Sequence, residues 1–202
     1  MDINALNKIC CGLFVLTASD ENGQNGCIIN TVMQVTSSPV KISVTVNKSN
    51  YTTDMILKTK KFNISCLDET AEFDLFKTFG FSSGRTVNKF ADFKDFKIAP
   101  NKINYITRST NAYICAEVTD TIDVGTHYIF IAEVTDAEVL SVYPSASYAY
   151  YHSNIKPAPA ENKSEKNRWV CTICGYVYEG DELPDDFICP LCKHPASDFK
   201  KM

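Results

Sequence analysis

The residues of this chain best suited to chemistry lie near its end, in two Cys-x-x-Cys pairs: Trp169-Val170-Cys171-Thr172-Ile173-Cys174-Gly175-Tyr176 and Phe187-Ile188-Cys189-Pro190-Leu191-Cys192. Two such pairs can set four thiolates at the corners of a tetrahedron, the arrangement that zinc or a single iron takes from an all-sulfur site. The second cysteine of each pair opens a tight turn whose backbone N–H groups can point at sulfur, and Gly175 allows the positive φ that such a turn needs. These hydrogen bonds would stabilise negative charge around the metal. Trp169, Tyr176, Tyr178, Phe187 and Phe199 crowd the same short segment. That is more apolar shielding than structural zinc requires, although zinc accepts the same four ligands.

On Trp169 to Tyr178, Pro184 to Cys192 and Phe199, the segment resembles rubredoxin, a one-iron electron carrier. The resemblance implies one iron held by Cys171, Cys174, Cys189 and Cys192 and cycling between ferric and ferrous. The stretch from Gly175 to Ile188 is about half as long as in a free-standing rubredoxin. It is closer to the short rubredoxin-type modules fused to rubrerythrins.

A chain of 202 residues with 45% hydrophobic residues has room for one medium domain with a true core and a small appendage. No apolar run is long enough to span a bilayer, and Met1-Asp2-Ile3-Asn4 lacks the order of a signal peptide, so a soluble, cytoplasmic protein without a membrane partner is expected. A net charge of -4 argues against a nucleic-acid partner, because phosphate backbones need a basic surface. Of nine cysteines, Cys10, Cys11, Cys27, Cys66 and Cys115 fall outside the pairs, within strand-like runs, and read as reduced thiols.

The elements that must carry a site in the first domain are mostly strands. Gly12 to Ser19, a turn at Asp20 to Gly23, and Gly26 to Gln34 read as a hairpin. Val40 to Val46 alternates with period two, the mark of a strand with one buried face. Asn50 stands where it can cap a helix over Tyr51 to Lys60. Phe62 to Leu67 is a strand, Ala71 to Phe79 a helix stopped by Gly80, and Ala112 to Thr121 and His127 to Leu140 a final pair of strands. Many strands with short turns and few helices indicate a mainly β, antiparallel barrel. Lys156 to Asn167 holds nothing apolar larger than alanine and reads as a linker with a reach of about 20 Å. The expected organisation is therefore a barrel over 1–155, a linker over 156–167 and a metal module over 168–202.

No glycine-rich nucleotide motif occurs. Instead, groups able to bind phosphate gather at junctions between elements: Asn30-Thr31, Asn47 to Thr52 entering a helix N-terminus, and Ser82-Ser83-Gly84-Arg85 ahead of Lys89. Each alone is explained as well by capping or by a solvated loop. In chain order, Asn30 to Gln34 with Ser37-Ser38-Pro39, Val44 to Thr52, Gly84-Arg85 with Lys89-Phe90, and Gly125 to Val134 resemble the flavin reductase-like, FMN-binding split-barrel family over about residues 1 to 152. That resemblance implies a six-stranded Greek-key split barrel with a few short helices, a homodimer, and non-covalent FMN. It lays Asn30, Thr31 and Val32 along the isoalloxazine or ribityl chain, Lys48, Ser49 and Thr52 on the phosphate, and Arg85 and Lys89 at the same pocket. His127 would face the flavin and nicotinamide, with Thr126 in place of the family's usual acidic residue. Apart from the resemblance, His127 reads equally well as a surface histidine at a turn.

Together the two parts resemble the high-molecular-weight rubredoxins. The resemblance implies NAD(P)H as electron donor, FMN and a Fe(Cys)4 centre as carriers, and a flavodiiron oxygen or nitric oxide reductase as acceptor. Glu179, Asp181, Glu182, Asp185 and Asp186 offer an acidic docking surface, or simply a solvated loop. Two further functions fit the same residues: a flavin-bearing electron shuttle that never meets a nicotinamide, and an interaction module with zinc in the knuckle and an empty barrel.

Overall fold

The computed structural model describes residues 2–157, 167–180 and 182–202, and the chain forms two compact units, Met1–Pro157 and Ala158–Met202. Most of the expected linker, and Asp181, lie outside the described residues.

The first unit is built on seven antiparallel strands: β1 (Phe14–Asp20), β2 (Gly23–Ile29), β3 (Val32–Ser37), β4 (Val40–Asn47), β5 (Lys61–Leu67), β8 (Thr110–Asp123) and β9 (His127–Val139), with a separate short hairpin of β6 (Phe96–Ile98) and β7 (Asn104–Ile106). In the sheet the order is β2-β1-β5-β8-β9-β4-β3. Laid flat at ~4.8 Å per gap, its two edges would stand about 29 Å apart. Yet Asn30 and Thr31 alone join the edge strands β2 and β3, a reach of about 11 Å. The sheet must therefore curl until its edges approach, and the result is a split barrel. The strand expected to run unbroken from Gly26 to Gln34 is in fact cut at this joint, which is why seven strands stand where six were expected.

Alternation does its expected work in β4, where Ile42, Val44 and Val46 are buried between half-exposed neighbours. They join Leu16, Phe62, Ile64 and Phe130 in the barrel core, together with Met55 and Ile56 of helix α1 (Tyr51–Thr59). Each such side chain contributes about 1.5–3 kcal/mol on burial. A second cluster forms where Leu75, Phe76 and Phe79 of helix α2 (Phe73–Gly80) pack on Val15, Leu67, Phe90 and Ile106. Helix α2 starts two residues later than the sequence suggests. The Asp68 carboxylate accepts from the backbone N–H and the hydroxyl of Thr70, which holds 68–71 in a turn. Asn50 sits at the start of α1 without a side-chain capping bond.

The buried polar residues of β1 and β5 that face away from the barrel core are satisfied by β7 and the turn before it. The Thr17 hydroxyl donates to the Asn104 carbonyl (2.5 Å), the Asn63 amide to the Ile103 carbonyl (2.9 Å), and the Ile106 N–H to the Ser65 hydroxyl (2.9 Å).

The second unit is a three-stranded sheet, with β10 (Arg168–Cys171) between β11 (Val177–Glu179) and β12 (Phe199–Lys201). Phe187 packs at 4.6 Å from Tyr178 and 5.3 Å from Phe199, ring centre to ring centre, making the aromatic shell around the cysteines. Among the described residues no helix is long and apolar enough to cross a membrane.

Candidate functional site: a four-thiolate centre and a polar barrel end

The sulfurs of Cys171, Cys174, Cys189 and Cys192 all lie within 4.8 Å of one another. Cys171 and Cys192 are 3.5 Å apart, and Cys174 and Cys189 are 3.4 Å apart. A tetrahedron with metal–sulfur bonds of ~2.3 Å has edges of about 3.8 Å, whereas a disulfide would need ~2.05 Å, so this donor set fits one tetrahedral metal ion. Two matching knuckles build it. In the first, Gly175 N–H donates to the Cys171 carbonyl and Cys171 N–H to the Tyr176 carbonyl; in the second, Lys193 N–H donates to the Cys189 carbonyl and Cys189 N–H to the His194 carbonyl. Both turns pass through positive φ, at Gly175 (75°) and at Lys193 (63°). The second of these is invisible to a search for glycine.

Backbone N–H groups do point at sulfur. Burial pushes the Cys174 thiol up, against the N–H of Tyr176, and pushes Cys192 up to about 11, against the N–H of His194. At Cys189 burial is outweighed by the N–H groups of Cys192 and Leu191, and the thiol is held below its ordinary range. Four thiolates this close repel one another, and a bound cation is what lets all four ionise together. Of the expected acidic surface, Glu182, Asp185 and Asp186 are exposed, while Glu179 pairs with Arg168 at 3.1 Å.

The candidate residues of the first unit converge on one end of the barrel because three junctions meet there. On the antiparallel pair β4–β9, Asn47 stands opposite His127. The Thr31 hydroxyl, at the β2–β3 joint, donates to the Thr45 carbonyl (2.8 Å), and Lys48 N–H donates to the Thr126 carbonyl (3.0 Å). Lys48 Nζ pairs with Asp123 at 2.6 Å and lies 4.6 Å above the Tyr128 ring. Ser49 is exposed, its hydroxyl held on Asn47 Oδ1 (2.9 Å). Thr52 is fully buried in the first turn of α1. Arg85 reaches the same turn from the loop after α2, with Nη2 at 2.6 Å from Asp54 and its guanidinium 5.3 Å above the Tyr51 ring. The N–H groups of a helix's first turn have no partner within the helix. With Lys48, Ser49 and Arg85 around them and Thr52 buried beneath, they form a donor set that fits a phosphate.

Asn30 and Val32 are half-buried at the joint, and His127 is half-buried with Nδ1 2.8 Å from the Thr126 hydroxyl. Lys89 is placed differently from the other cations. It is 6% exposed, and its ammonium donates to the carbonyls of Gly26 (2.8 Å) and Phe79 (3.0 Å). One residue that the sequence did not bring forward, Asn25, also belongs to this end. Asn25, 3% exposed, donates to the Thr52 hydroxyl at 2.9 Å, and Gly84 lies flat against the Asn25 amide. Gly84 was legible as part of the Ser82-Ser83-Gly84-Arg85 loop, whereas nothing local marked Asn25.

Residues 6–159 match the family described as flavin reductase like domain, and residues 169–200 match the rubrerythrin, rubredoxin-like domain. The chain is 37% identical to "High molecular weight rubredoxin" of Moorella thermoacetica over 230 aligned positions, covering 100% of both chains. It is 36% identical to "Ferric-chelate reductase (NAD(P)H)" of Archaeoglobus fulgidus over 152 residues, 75% of this chain and 89% of that one. Among solved structures, the flavoredoxin of Methanosarcina acetivorans superposes with a TM-score of 0.58 at 22% identity, over 64% of this chain and 69% of that one. The styrene monooxygenase flavin reductase of Pseudomonas putida S12 does so with 0.56 at 23%, over 67% and 84%. With a split barrel that binds FMN and a rubredoxin-like knuckle that holds one iron in a single polypeptide, this chain belongs to the flavin reductase-like family and, within it, to the high-molecular-weight rubredoxins.

Proposed function

We propose that the protein takes electrons from NAD(P)H through FMN to the Fe(Cys)4 centre and delivers them to a redox partner, a flavodiiron oxygen or nitric oxide reductase. One observation carries this reading: a flavin reductase barrel and a complete four-thiolate centre share one chain, along the whole length of its Moorella relative. When bound, FMN takes the two electrons of a hydride together and gives them up singly, and iron in four thiolates accepts one at a time.

The residues have distinct tasks in this reading. Lys48, Ser49 and Arg85 hold the phosphate at the start of α1, with Thr52 buried beneath them as part of its first turn, while Asn30, Thr31 and Val32 line the ribityl chain and ring. Lys89 stands behind them and anchors the loop that carries Arg85. His127, opposite Asn47 on the neighbouring strand, orients the nicotinamide against the flavin; its Nδ1 contact with Thr126 fixes the ring's direction. The N–H groups around Cys174, Cys189 and Cys192 favour the more negative, reduced state of the centre. A homodimer fits the exposed Met33 and Val35 on the edge strand β3 and the exposed Val40 at the start of β4 beside it. Domain limits near 155 and 168 complete the reading.

The test is the visible spectrum of the purified protein without oxygen, before and after NADH or NADPH. Bleaching of both flavin and ferric-thiolate bands is the expected result. Bands that bleach only with an added reductase would make the protein a shuttle that does not use nicotinamide. A colourless protein would leave a zinc-bearing interaction module.

A further inference from the structure

The two halves of the phosphate site come from distant parts of the chain, the first turn of α1 and the loop that bears Arg85, and both rest on the same two residues of β2. The Asn25 side-chain amide, 3% exposed, donates to Thr52 Oγ1 at 2.9 Å. The other side is covered by Gly84, so closely that a Cβ there would lie 2.2 Å from Asn25 Oδ1 and 2.6 Å from Nδ2. One residue further on, the Gly26 carbonyl receives the ammonium of Lys89, which closes the far side of the same loop. Arg85 therefore sits on a loop fixed to β2 before and after it, and from that loop it reaches Asp54 and the Tyr51 ring on α1.

We infer that Asn25, with Gly84 packed on it, is a positioning residue for anion recognition: through the fully buried Thr52 it holds the first turn of α1, and through Gly84 it holds Arg85 over the same site. The inference rests on the phosphate site proposed above.

The experiment compares dissociation constants for FMN and for riboflavin, which lacks the phosphate, by flavin fluorescence on the full chain. Asn25→Asp keeps the shape but removes the donor and accepts the Thr52 proton. Gly84→Ala keeps every hydrogen-bonding group but forces the loop off Asn25. For each, FMN affinity is expected to fall by about tenfold or more, the size of one hydrogen bond to a charged group, while riboflavin affinity stays within about twofold. Equal loss for both ligands would reduce Asn25 and Gly84 to packing residues and overturn the inference, and so would no loss for either. Lys48→Ala separates this from the underlying reading. If it weakens FMN selectively while Asn25→Asp and Gly84→Ala do not, the phosphate site stands and the positioning role falls. If wild-type protein binds FMN no better than riboflavin, the phosphate site falls and takes the inference with it.

Discussion

Replacing Lys89 by methionine tests whether this buried ammonium is part of the fold or a direct contact to ligand. Methionine keeps the length and the apolar stem but removes the donor, leaving the carbonyls of Gly26 and Phe79 facing an apolar side chain in a site 6% exposed. Each stranded carbonyl costs about 1–3 kcal/mol, offset in part because a buried charge no longer has to be desolvated, so a net loss of about 2–4 kcal/mol is expected. For a domain of this size that lowers the melting temperature by roughly 4–16 °C. Thermal unfolding of the flavin-free protein, followed by circular dichroism, measures it. A second signature is pH. Burial lowers the pKa of Lys89 below the 10.5 of an ordinary lysine. The unfolded chain therefore binds this proton more tightly, and the group adds stability as pH rises through the depressed folded value towards 10.5. Lys89→Met should lack that alkaline gain. A flavin-free variant with unchanged melting temperature, but with FMN affinity reduced, would refute this reasoning and return Lys89 to the phosphate.

Other outcomes follow from the same geometry. Cys189→Ser removes a fully buried ligand, so the iron absorption should vanish while flavin absorption persists; loss of both chromophores would contradict two independent modules. Lys193→Gly relieves a side chain held at φ 63° and should strengthen the second knuckle by about 1 kcal/mol, read as slower metal loss to a chelator. Phe62→Ala opens a cavity in the barrel core at a fully buried ring, and urea unfolding should show a loss of about 3–5 kcal/mol.

What the sequence determined by itself was whatever local spacing controls. The Cys-x-x-Cys pairs bring their sulfurs to one point because a knuckle is closed by bonds between residues four and five apart, as from Gly175 to Cys171 and from Cys171 to Tyr176. The period of two in Val40 to Val46 chose the buried face of β4, and the turn at Asp20 and the start of α1 at Tyr51 were legible for the same reason. The tertiary structure decided whatever depends on residues far apart in the chain. It broke Gly26 to Gln34 into two edge strands, because a barrel needs a joint there. It gave Lys48 an acidic partner 75 residues away, and it turned Lys89 towards a carbonyl 63 residues away. It left Asn50 without its capping bond, and it set Asn25 between Thr52 and Gly84. A polar side chain takes whichever partner the folded chain brings within 3 Å, and neighbours in sequence do not reveal that partner.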